Sequence, residues 1–150
     1  MGWVDDLAGA VVALDAAPLV YYVEEHPRYL PIVEPLFNAL DDGMLCAVAS
    51  TVALLEVLVV PLRNGDAETA QAYRDILLNS DAITLIPVSP EVAERAAQFP
   101  ARYTVRTPDA LHLATALHAG TTYFITNDMR LPALAELQVI TLESLAADIA

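Results

Sequence analysis

The 150-residue sequence predicts an α/β fold: a mostly parallel central sheet of about five strands, covered by helices on both faces. Three observations carry that prediction. Five short apolar runs of strand length punctuate the chain. Stretches with helical spacing separate them, and crossovers of that length join parallel strands. No repeat, low-complexity tract or linker interrupts the alternation, so one domain over residues 1–150 is expected.

The elements follow in order. Gly9 to Leu14 reads as a buried strand ending at Asp15. Pro18 to Glu25 is a helix with proline in its first turn. Leu30 to Leu40 continues helical, closed by Asp41-Asp42-Gly43. Met44 to Ala49 is the second apolar run, and Ser50 or Thr51 can cap a helix running to about Leu62. Arg63 to Asp66 is a loop, and Ala67 to Leu78 has helical spacing through Ala70, Tyr73 and Leu77. Ala82 to Val88 is a third strand, and Ser89-Pro90 opens a further helix. Thr107-Pro108-Asp109 opens a long helix ending at Gly120. Tyr123 to Thr126 is the fourth strand and Leu137 to Leu142 the fifth, before a short terminal helix.

Composition excludes several chemistries. The chain has 20 acidic residues against 7 basic ones, a formal charge of −13, and every basic residue is Arg. Without lysine there is no P-loop phosphate grip, no Schiff-base amine and no kinase strand lysine. A receiver domain also lacks its late lysine, and a dehalogenase-like phosphatase lacks its second acid, where Ala17 stands. One cysteine, Cys46, forms no internal disulfide, and its apolar flanks read as a buried inert thiol. With three scattered His it builds no zinc site. The start, Met1 to Asp6, lacks a basic leader region, and the longest charge-free stretch, Ala110 to Asn127, is too polar to span a membrane. A cytoplasmic protein without membrane contact is expected.

Four acids carry the chemistry. Asp15 ends the first strand, Asp128 follows the fourth, and Asp109 opens a helix. Each alone reads equally as a cap or a first-turn acid. Glu56 is different: Val52, Ala53, Val59 and Val60 surround it at helical spacing, so it is expected amid apolar surface. An Arg partner or a dimer seam would account for it as well. In a parallel sheet all four can meet beyond the carboxyl ends of the strands. Two carboxylates ~4 Å apart repel by about 4 kcal/mol at an effective dielectric near 20, so such a cluster needs a cation or shared protons. Hard oxygen donors without Cys or His point to Mg²⁺ or Mn²⁺, and carboxylate-held divalent ions suit phosphodiester hydrolysis.

The segments Val12–Asp15, Thr51–Glu56, Arg106–Leu117 and Phe124–Asp128 occur in the order found in PIN-domain ribonucleases. From Ala10 to Leu142 the chain resembles the toxin of a VapBC-type toxin–antitoxin pair. The resemblance implies a PIN-like three-layer sandwich and a Mg²⁺- or Mn²⁺-dependent endoribonuclease. Asp15, Glu56, Asp109 and Asp128 would be its metal-binding, catalytic quartet, with Thr126 and Asn127 as polar neighbours. It also implies a homodimer and a cognate antitoxin inserting a basic segment toward the acidic site. Two departures stand out. Ala16-Ala17 replaces the small polar residue usual after the first acid, which leaves a non-catalytic interaction module as the alternative. Residues Met1–Leu7 precede the usual first strand and read as an extension packed outside the sheet.

Other residues have two readings. His112 shares a helix face with Asp109, as a packed core histidine or as a ligand or proton shuttle. Arg106 and Arg130 flank two acids, either to hold RNA phosphates or to balance the acids as ion pairs. Tyr21-Tyr22 reads as helix packing ahead of base stacking. Phe37, Leu40, Tyr73 and Leu77 read as core, dimer seam or antitoxin groove. Assigning four of the 20 acids to metal leaves 16 against 7 Arg, still −9, so RNA would be held through the metal and a few arginines.

Overall fold

A computed structural model describes residues 2–99 and 104–149. Five strands form one sheet: β1 (Val11–Leu14), β2 (Cys46–Ser50), β3 (Ile83–Ile86), β4 (Tyr123–Thr126) and β5 (Gln138–Thr141). Seven α-helices lie among the described residues: α1 (Ala16–Val23), α2 (Leu30–Asp41), α3 (Thr51–Arg63), α4 (Ala67–Leu78), α5 (Pro90–Ala97), α6 (Thr107–His118) and α7 (Leu142–Ile149). All four strand pairings are parallel, in the order β3-β2-β1-β4-β5. Chain direction across the sheet therefore reverses at β1, between β2 and β4. Open α/β sheets place their sites at the carboxyl ends of strands beside such a switch point.

Alternation along the strands sorts the core into two layers. Val12 and Leu14 face one side with Ala47, Ala49 and Ile125, packed by residues of α1–α4 and α7. Ala13, Val48 and Phe124 face the other, against Val92 and Ala96 of α5 and Ala110, Leu113 and Ala114 of α6. The starts of α3, α4 and α5 are fixed by side-chain caps, each worth about 1 kcal/mol. Ser50 accepts from Val52 N, Asp66 from Thr69 N and Ser89 from Val92 N.

Three local expectations change. α1 begins at Ala16, two residues before the expected Pro18, because the Asp15 carboxylate accepts from Ala16 N at 2.7 Å. Pro18 then falls in the first turn, where a missing N–H costs nothing. Cys46 is exposed and not buried. It opens β2 at the sheet rim, paired with Val11, which is itself 44% exposed. The leading segment forms a 3₁₀ turn, Trp3–Leu7, whose Val4 and Leu7 join the α2 side of the core, while Trp3 Nε1 donates to Ile32 O at 3.1 Å. Met1 lies outside the described residues. Among those residues no helix is long and apolar enough to cross a membrane.

Candidate active site

The register sets the site. Leu14 pairs with Ile125, so Asp15 emerges beside Thr126 at the carboxyl ends of β1 and β4. Both oxygens of Asp15 are committed locally: Oδ1 to Ala16 N, Oδ2 to the Thr126 hydroxyl at 2.6 Å. Thr126 supplies from the neighbouring strand a hydrogen bond that Ala16 and Ala17 cannot. Its Oγ1 also accepts from Asp128 N at 3.0 Å, which ties the two acids to one hydroxyl.

Glu56 lies on α3, behind β2. It is not buried amid apolar surface as the sequence predicts; its side chain is 35% exposed. α3 packs a narrow stripe of Ala53, Val57 and Pro61, and leaves Leu55, Val59, Val60 and Leu62 on the outside. The partner of Glu56 is not an arginine. His112 on α6 places Nε2 at 2.5 Å from Glu56 Oε1 and 3.5 Å from Asp15 Oδ1. That ring is 1% exposed. Burial pushes its pKa down, but the Glu56 hydrogen bond and the charges of Asp15, Glu56 and Asp109 outweigh this, and it titrates above its ordinary value.

Asp109 and Asp128 take a different solution. Asp109 sits in the first turn of α6, where the helix dipole favours an acid, and accepts from Arg106 Nε at 3.1 Å. Asp128 is gripped at both oxygens by Arg130, at 3.0 and 3.2 Å, and that guanidinium holds its carboxyl below the usual range. The two acids and two arginines line one cavity of about 550 Å³. A neighbouring cavity of about 510 Å³ is lined by Asp15, Asn127, Asp128 and Arg130. Asp128 thus borders both.

All four predicted acids therefore stand at one edge of the sheet. Among the described residues, the three whose ligand atoms lie within 4.8 Å of one another are Asp15, Glu56 and His112. Two carboxylates this close, with two more on the adjoining cavity, fit a hard divalent ion. Sequence reasoning placed His112 on the Asp109 face but not against Glu56, since no local spacing reports a contact between α3 and α6. Asn127 serves the scaffold: its amide donates to the Tyr21 hydroxyl at 3.1 Å and its oxygen accepts from Glu143 N at 2.8 Å, the start of α7. Tyr21 and Tyr22 are packing residues, stacked on Tyr29 and Phe37. Phe37, Leu40, Tyr73 and Leu77 are all core, and His118 is on the surface.

Fold and site together define an α/β protein with a carboxylate-rich centre at the switch point of a five-stranded parallel sheet. Residues 12–137 match the PIN domain family, and the chain belongs to it. Solved structures share this fold at low identity. A toxin–antitoxin complex from Klebsiella pneumoniae has 20% identity and a TM-score of 0.65, covering 87% of this chain and 97% of that one. VapBC2 from Rickettsia felis, bound to a promoter DNA fragment, has 15% identity and a TM-score of 0.67, covering 87% and 98%. VapC20 from Mycobacterium tuberculosis, a sarcin–ricin-loop-cleaving toxin, has 16% identity and a TM-score of 0.64, covering 75% and 86%. No curated protein matches the chain.

Proposed function

We propose that the protein is a Mg²⁺- or Mn²⁺-dependent endoribonuclease, the toxin of a toxin–antitoxin pair. The observation that carries this reading is the approach of Asp15 and Glu56 at the switch point of a PIN fold, with Asp109 and Asp128 on the adjoining cavity wall. Asp15 and Glu56 would hold the ion, and Asp109 and Asp128 would complete its surroundings. A bound divalent ion supplies Lewis acidity and lowers the pKa of water for in-line attack on a phosphodiester.

The chain's own groups do the rest. Thr126 fixes the Asp15 carboxylate through its 2.6 Å hydrogen bond, so the acid needs no reorientation. Arg106 and Arg130 have exposed side chains and can turn from their carboxylates toward an RNA phosphate. That fits a protein with a net charge of −13, which has no broad basic face to offer. Purified protein should cleave single-stranded or structured RNA with Mg²⁺ or Mn²⁺ and stop with EDTA. Absent cleavage on both substrates would favour the non-catalytic alternative, and cleavage that survives EDTA would overturn the metal dependence.

Partner readings draw on the surface. A cleft of about 600 Å³ sets Glu34, Asp41 and Asp75 around Tyr22, Phe37 and Ile76. It suits an antitoxin segment with basic and apolar side chains, whose complex should weaken steeply with salt. The uncovered apolar stripe of α3 supports a homodimer, which light scattering tests.

A further inference from the structure

His112 is buried, and among the described residues its Nδ1 has no hydrogen-bond partner. That orphan atom decides the state of the ring. With hydrogen on Nδ1 alone, a buried N–H would lack an acceptor, and the Nε2 lone pair would face a Glu56 oxygen at 2.5 Å. With hydrogen on Nε2, the N–H donates to Glu56 and leans toward Asp15 Oδ1 at 3.5 Å. Only a lone pair is then left at Nδ1. In that arrangement Nε2 is a donor.

A histidine that ligates a metal through Nε2 needs the opposite arrangement. Its lone pair must sit on Nε2 and its hydrogen on Nδ1, where a carboxylate or carbonyl usually accepts it. His112 has no such acceptor among the described residues. We infer that His112 is a positioning residue, not a metal ligand: its Nε2–H clamps the Glu56 carboxylate toward Asp15, so that the two acids face one ion. The inference rests on the metal-site reading above and adds a role to it. Glu56 needs the clamp, because it stands on the partly exposed face of α3 with a long, rotatable side chain. His112 can serve as the anchor because it belongs to the packed face of α6.

The test begins with ring-nitrogen NMR of the unmodified, EDTA-treated protein. Two-bond ¹H–¹⁵N correlations should show Nε2 bearing hydrogen. A lone pair on Nε2 with hydrogen on Nδ1 overturns the inference. Electron spin-echo modulation of the Mn²⁺-loaded protein should lack the ¹⁴N coupling of a directly bound imidazole, and its presence overturns the inference likewise. Mn²⁺ affinity should fall about 10- to 100-fold in His112→Leu, and His112→Gln, which keeps an N–H donor, should recover most of it. A role in packing alone predicts the reverse order, since leucine fills the apolar pocket better. If wild-type protein binds no Mn²⁺, the nuclease reading fails, and the ring-nitrogen pattern still decides the tautomer on which this inference stands.

Discussion

The two halves of the acidic edge meet the same electrostatic problem differently. In the inner half, Asp15 and Glu56 converge on a histidine whose side chain is 1% exposed. In the outer half, Asp109 and Asp128 pair with Arg106 and Arg130, whose side chains are 69% and 74% exposed. The inner counter-group is built into the core and cannot leave without unpacking α6. The outer ones are solvated and can exchange a carboxylate for another anion at little cost, because exposed ion pairs are worth only about 0–1 kcal/mol. The inner half thus looks built to hold a fixed geometry, and the outer half to release its charges.

Replacing an inner acid should have the largest effect. Asp15→Asn keeps the α1 cap, since asparagine caps about as well as aspartate, so the melting temperature of the metal-free protein should hardly move. RNA cleavage should fall at least about 10²-fold, the scale of losing one electrostatic group from a reaction centre. Asp128→Asn should lose less, because Asp15 and not Asp128 belongs to the group of ligand atoms within 4.8 Å that includes Glu56. Equal losses at the two positions, measured by initial rates on one RNA, would erase the distinction between the halves.

Metal binding separates them next. At 100 times the dissociation constant, Mn²⁺ should stabilise the protein by about 2.7 kcal/mol. For a chain of this size that is roughly 5–10 °C in melting temperature. Asp15→Asn should abolish the shift, and Arg130→Gln should leave it intact or enlarge it by freeing Asp128. An unchanged melting temperature at saturating Mn²⁺ would remove the metal from the reading of both halves.

What the sequence revealed of this site follows a physical boundary. Asp15, Asp109 and Asp128 were legible because each stands at an element end, and strand ends converge in a parallel sheet whatever the details of packing. β4 was legible to the residue, Tyr123–Thr126, because it is a short apolar run closed by polar groups. Glu56 was singled out for the right contrast but the wrong surroundings. Its neighbours Val59 and Val60 lie on an exposed apolar stripe of α3, and periodicity cannot say whether such a stripe is covered. The His112–Glu56 contact was out of reach, because it joins residues 56 positions apart across two helices. Thr126 was visible only through the family resemblance, and its bond to Asp15 depends on the β1–β4 register. The apolar flanks of Cys46 do not reveal that it opens a strand at the exposed sheet rim.

The arginines offer a smaller test of the outer half. If Arg106 and Arg130 grip phosphate, replacing either with Gln should weaken binding of an RNA oligonucleotide. Each lost phosphate contact should also flatten the salt dependence by about 0.7 in the log–log slope for single strands. Binding should be measured in the cleavage-deficient Asp15→Asn background. Full affinity with an unchanged slope in the double replacement would return both arginines to a purely internal pairing with Asp109 and Asp128.

The smallest expected effect lies in acid. Arg130 holds the Asp128 carboxyl below its ordinary value, and an unfolded aspartate titrates at about 3.9. A depressed folded-state value contributes stability that is complete above the unfolded value and is lost as pH falls through the folded one. Arg130→Gln should therefore lower the unfolding midpoint of metal-free protein slightly at neutral pH and not at all once Asp128 is protonated in both states. The difference should be small, because the guanidinium is largely solvated. At 1 M salt, where the screening length is about 3 Å, it should vanish even at neutral pH. The His112–Glu56 contact is buried on its histidine side and so is less open to that screening, and the cost of His112→Leu should largely persist in the same salt. Loss of both differences at 1 M salt would show that the inner half is as solvent-screened as the outer, and the contrast between a fixed and a releasable counter-group would fall with it.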